Sequence, residues 1–152
     1  MLKRRLIPLV VIASLAGGTA VAQAVVPKGT YTGKFSDGGT ASLTVNKERL
    51  LIKVTRKGLT FKCTDGDSFK SLKSTATGDV DVSSGSFDIN DTNTSDAVTW
   101  SMQGKFSTKK RKVKGTYKET RTFNASNQLD PNGSVTCETA ALTYSAALPK
   151  KK

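Results

Sequence analysis

The chain has 152 residues, carries 24 Lys and Arg against 12 Asp and Glu for a formal net charge of +12, and contains no histidine. Without histidine, the Ser-His-Asp and Cys-His nucleophile systems and the commonest metal ligand are excluded. The length suits one domain with a single modest core.

Residues 1–24 read as an export signal. Lys3, Arg4 and Arg5 precede an apolar run from Leu6 to Ala16, and small residues lead to Ala22-Gln23-Ala24. This order of charge, apolar run and small-residue site predicts a secretory signal peptide cleaved after Ala24. The run is shorter than the roughly 20 residues that span a bilayer, so no transmembrane segment is expected after cleavage. Residues 25–148 are then expected to form one all-β domain and residues 149–152 a basic C-terminal tail. The expected location is secreted or associated with the cell envelope.

The mature part reads as strands separated by turns. Thr30–Phe35 is a first strand closed by Ser36-Asp37-Gly38-Gly39, a strong hairpin signal. Ala41, Leu43 and Val45 alternate with polar residues, and Leu50, Ile52 and Val54 predict the inward face of the next strand. Leu59, Phe61 and Cys63 share one face. Residues 68–79 give no clear pattern. Val80 and Val82 open another strand, Ser83-Ser84-Gly85 turns it, and Phe87 and Ile89 follow. A polar loop over 90–96 leads to Val98, Trp100, Met102 and Phe106. After a turn over 108–112, a long strand runs from Val113 toward Phe123. Val135 and Cys137 mark the next strand, and Leu142, Tyr144 and Ala146 the last.

Gly-x-aromatic recurs at Gly29–Tyr31, Gly33–Phe35, Gly85–Phe87, Gly104–Phe106 and Gly115–Tyr117. In a strand these pairs share a face, where glycine permits tight coiling and an aromatic ring covers the gap. The expected fold is an antiparallel meander forming a closed or nearly closed barrel, or a barrel-like sandwich. Two cysteines in an exported chain predict one disulfide, Cys63–Cys137.

The segments Gly29-Thr-Tyr-Thr-Gly33, Phe61-Lys-Cys63, Gly104-Lys-Phe106, Val113-Lys-Gly-Thr-Tyr117 and Cys137 resemble small secreted bacterial β-domain proteins of the kind common in actinobacteria. The resemblance implies the fold and the disulfide, and no activity. The opening Gly-Thr-Tyr, the Ser-Asp-Gly-Gly turn and Ala-Ser-Leu-Thr-Val are also similar to avidin-type and lipocalin-type barrels, which bind small ligands in the barrel mouth. Avidins use several tryptophans there; Trp100 stands alone here.

No catalytic, cofactor or metal site is expected. Asp65 with Asp67 and Asp79 with Asp81 adjoin turns and read as turn formers. Asp88, Asn90, Asp91, Asn93 and Asp96 lack the central glycine and terminal glutamate of a calcium loop. The leading functional feature is the basic hairpin Lys109-Lys110-Arg111-Lys112 with Lys105 and Lys114 beside it. Such a cluster attracts polyanions at low salt. The expected partners are anionic envelope polymers or lipid headgroups. No aromatic residues accompany the cluster to stack nucleic-acid bases. The alternative is a small-ligand carrier with its site in the barrel mouth.

Overall fold

The structure is a computed structural model that describes residues 25–91, 96–107, 109 and 111–150. The leader 1–24 lies outside the described residues. Every regular element described is a β-strand, and all pair antiparallel in one sheet: β1 (Gly29–Phe35), β2 (Thr40–Val45), β3 (Leu50–Lys57), β4 (Thr60–Cys63), β5 (Ser68–Lys70), β6 (Ser74–Asp81), β7 (Ser86–Asp91), β8 (Val98–Ser107), β9 (Lys112–Phe123), β10 (Val135–Glu138) and β11 (Leu142–Ala147). No helix in the described residues is long and apolar enough to cross a membrane.

Eight strands follow the order β6-β3-β2-β1-β11-β9-β8-β7. The two ends of this path, β6 and β7, are consecutive in the chain and come near each other without a ladder between them. The sheet is therefore curled but not closed into a barrel. β9 organises it. One edge pairs with β8 along ten residues, while the other pairs with β11 over Lys112–Tyr117 and with β10 over Thr120–Phe123. β10 and β11 thus lie end to end along one edge, and β10 carries the short arm β4-β5 outward.

Period-2 alternation places the core. Tyr31, Phe35, Leu43, Trp100, Met102, Phe106, Val113, Tyr117 and Tyr144 are buried. Rings fill the interior by direct contact: Tyr31 on Phe106 at 5.2 Å, Phe35 on Tyr117 at 5.4 Å and Phe35 on Tyr144 at 5.7 Å between centroids. Each such pair adds about 0.5–1.5 kcal/mol to the burial of its area. Gly104 and Gly115 face each other across β8 and β9. A Cβ at Gly104 would strike the Phe87 ring and the Tyr144 hydroxyl, and one at Gly115 the Gln103 carbonyl. The expected cover of strand glycines by aromatic rings is present at these two positions, supplied by neighbouring strands.

Three local expectations need correction. A bulge between Leu51 and Lys53 changes the phase of β3, so Leu51, Val54 and Arg56 face inward, not Leu50 and Ile52. Val80 is the penultimate residue of β6, which ends at Asp81, and Val82 is buried in the turn that follows, so no strand begins there. Gly85 belongs to that turn with φ of 82°, where a residue without Cβ is favoured. The Cys63–Cys137 disulfide is present, and its cysteines are direct cross-strand partners in β4 and β10. It joins positions 74 apart in sequence.

Candidate functional site

The register aligns basic side chains that the sequence keeps far apart. Across the sheet, Ser86 pairs with Lys105, Lys105 with Lys114, Lys114 with Ser145, Ser145 with Lys34, Lys34 with Thr40, and Thr40 with Lys57. Directly paired residues share a face, and all seven are exposed. The result is one transverse row on the outer surface, from β7 to β3, in which Lys105 and Lys114 stand side by side and hydroxyls separate Lys114, Lys34 and Lys57. Adjacent strands are about 4.8 Å apart, so Lys114, Lys34 and Lys57 recur at about twice that spacing. Lys112 stands beside the row, opposite Ser107. Lys105, Lys112 and Lys114 wall a shallow depression of about 500 Å³ with Phe106 and Ser107. At the β7 end the row meets acid: Asp81 and Asp88 border a second concavity that Lys105 and Lys114 also line.

The residues of the predicted basic tip separate. Lys105, Lys112 and Lys114 belong to the outer face, and Lys109 is exposed at the turn. Lys110 lies outside the described residues. Arg111, with φ of 48°, folds back on the C-terminal segment, where its carbonyl accepts from Leu148 N–H and its Nη2 donates to the Pro149 carbonyl at 3.4 Å. Lys34 and Lys57 are the members that sequence reasoning missed. No linear motif could reveal them; only the strand register brings them into line.

A second charged group lies inside. Glu119, 1 % exposed, follows Tyr117 on the inward face of β9. Its carboxylate accepts from the Tyr117 hydroxyl, from Arg121 Nε at 2.8 Å and from Arg121 Nη2 at 2.7 Å, and it faces Arg56 Nε at 3.8 Å. Arg56 also donates to Ser74 Oγ at 3.2 Å and stacks its guanidinium over Trp100 at 4.5 Å. The cluster sits where β10 gives way to β11: Thr139 N–H donates to the Glu119 carbonyl and Glu119 N–H to Thr139 Oγ1. Burial and the Glu119 charge push the Tyr117 phenol far above its usual range. The sequence carried a signal for this cluster, since the alternation of β9 continues through Tyr117 to Glu119 and Arg121.

Beyond the cluster, the β4-β5 arm and the end of β9 enclose a groove of about 570 Å³. Phe69 stacks on Phe61 at 5.0 Å and meets Phe123 edge-on at 6.1 Å. The disulfide and Val135 complete an apolar floor, Arg121 lines it, and Leu72 stands at the rim 87 % exposed.

One acid of each pair holds a turn, while Asp79 lies within β6. Asp65 accepts from Asp67 N–H, and Asp81 from Ser83 N–H at 2.7 Å, a bond that holds the Asp81 carboxyl below its usual range. Among the described residues no three potential metal ligands gather. Asp88 and Asp91 lie on β7, and Asn93 falls outside the described residues. No protein-family model, curated protein or solved structure matches the chain.

Proposed function

We propose that the protein is an exported, non-enzymatic domain that binds a flexible anionic polymer along its transverse lysine row. The observation that carries this reading is the alignment of Lys105, Lys114, Lys34 and Lys57 by strand register. The row crosses most of a sheet that curls like an incomplete barrel. A flat lipid surface meets only part of a curved row, whereas a flexible chain follows it. Ser145 and Thr40 supply hydroxyls between the cations and Ser86 one at the end of the row, suited to the oxygens of a phosphodiester or sulfate backbone. Wall polymers of the teichoic type have this chemistry. The disulfide and the absence of a long apolar helix among the described residues are compatible with an extracytoplasmic setting.

The interior supports the same reading over a carrier with its site in the barrel mouth. Aromatic rings fill it, and the cavity between β3, β6, β7 and β8 holds about 70 Å³. Binding to a glycerol-phosphate polymer and to anionic vesicles at rising salt tests the proposal. A lysine near an anionic surface is worth about 1 kcal/mol, so replacing Lys34 and Lys114 by Ser is expected to weaken polymer binding roughly thirtyfold. Replacing Lys109 and Lys110, the first two residues of the basic run in the sequence, is expected to do less. Equal loss from both pairs, or stronger binding to vesicles than to polymer, rejects the row.

A further inference from the structure

The groove under the β4-β5 arm has no part in polymer binding, yet it is built for a small ligand. Its volume of about 570 Å³ lies within the range of about 300–1,000 Å³ typical of small-molecule sites. Its floor is Phe69, Phe123, Val135 and the disulfide, and Leu72 extends apolar surface to the rim. Arg121, which lines the groove, and Arg56, which does not, share one carboxylate, Glu119. Tyr117 donates to that carboxylate as a neutral phenol and adds no negative charge. The buried cluster therefore holds one cation in excess. It is also short of an acceptor, because Arg56 Nη1 is buried with no hydrogen-bond partner. Arg56 is enclosed at 5 % exposure, while the Arg121 side chain, at 19 %, borders the groove. Arg121 is the member of the cluster that lines the groove, with Nε and Nη2 held by Glu119.

We infer that this groove is a binding site for an amphiphilic monocarboxylate, with the carboxylate on Arg121 and the apolar body over Phe69 and Phe123. Asp65, Asp67 and Lys70 also line the groove, and the two acids favour the opposite charge. Asp65 is engaged with the Asp67 amide, and both aspartates are exposed. Arg121 is the charged group set among the apolar residues, where low dielectric strengthens a charge-assisted hydrogen bond.

Calorimetric titration of the disulfide-bonded protein with dodecanoate, dodecanol and dodecylammonium, below micelle-forming concentrations, decides the matter. Dodecanoate is expected to bind at one site about tenfold or more tighter than either analogue. Arg121→Met takes the closest cation from Glu119 and leaves it Arg56 and the Tyr117 hydroxyl, so stability is expected to fall, followed by urea unfolding, and in the folded variant the preference for carboxylate is expected to disappear. Leu72→Ser, at an exposed position, is expected to weaken dodecanoate several-fold. Amide shifts in the unaltered protein read the site without a variant: they are expected at Phe69, Phe123 and Val135. Tighter binding of the ammonium, no saturable binding, shifts confined to the lysine row, or a carboxylate preference that survives Arg121→Met each overturn the inference. Polymer binding is expected to be unchanged by Arg121→Met, so failure here stays separate from failure of the lysine row.

Discussion

The three tyrosines of the chain, Tyr31, Tyr117 and Tyr144, all lie in the core, and burial raises each phenol above its usual value of 10.0. A raised acid is favoured in its protonated form by the folded state. Its contribution to stability is complete below pH 10 and is lost as pH climbs from there toward the folded-state value. Phenolate absorbance should therefore stay absent through pH 10 and appear together with unfolding at higher pH. A separate ionisation near pH 10 with the fold intact contradicts this burial. Glu119 is the residue whose charge matters most to the core. Glu119→Gln leaves Arg56 and Arg121 without a counter-charge, and loss of one member of a buried pair costs about 3–5 kcal/mol, measurable by urea unfolding. Gly115→Ala drives a methyl into the Gln103 carbonyl and the Tyr144 ring. Its expected cost is about 1–3 kcal/mol, the usual range for overpacking.

At the scale of elements, most strands were readable because their apolar residues alternate without interruption, as Trp100, Met102 and Phe106 do in β8. β3 was readable as a strand but not in phase, because a bulge is a backbone event that leaves composition unchanged. β5 and β6 were not readable: they expose most of their residues and offer few large apolar side chains, so the periodic signal has little amplitude. The cross-link between β4 and β10 acts on the arm more than on the curled sheet. Closing a loop of this length removes denatured-state entropy worth about 4 kcal/mol. Replacing both cysteines by Ala should lower stability by that order. Amide exchange is expected to rise first in β4 and β5, while β8 and β9 stay protected. Uniform loss across the sheet indicates instead that the arm and the sheet unfold as one unit.

On the scale of the whole molecule, the lysine row could not be seen in advance. Its members come from four strands, and only the fold decides which residues stand opposite one another. The basic run at 109–112 dominated the sequence because charge density along the chain is visible there, whereas charge density across strands is not. The inner charged cluster falls between these cases, since continuing the alternation of β9 past Tyr117 points Glu119 and Arg121 inward, whereas the bulge concealed Arg56. A binding site made from register also fails with register. A slip of one residue in β1 turns Lys34 inward and breaks the row without changing net charge.

The gap between β6 and β7 leaves two strand borders free to recruit a neighbouring molecule, the usual origin of edge-to-edge fibres. Asp79 and Asp81 on β6, with Asp88 and Asp91 on β7, mount negative charge on both borders. Another copy's seam meets repulsion there as long as these carboxylates are ionised. Acid removes that guard, against which the Ser83 amide holds the Asp81 carboxyl below its usual range. Stored at mildly acidic pH the protein should remain dispersed; below the aspartate range, and at salt high enough to screen its net positive charge, it should begin to stack sideways, and light scattering would register the onset.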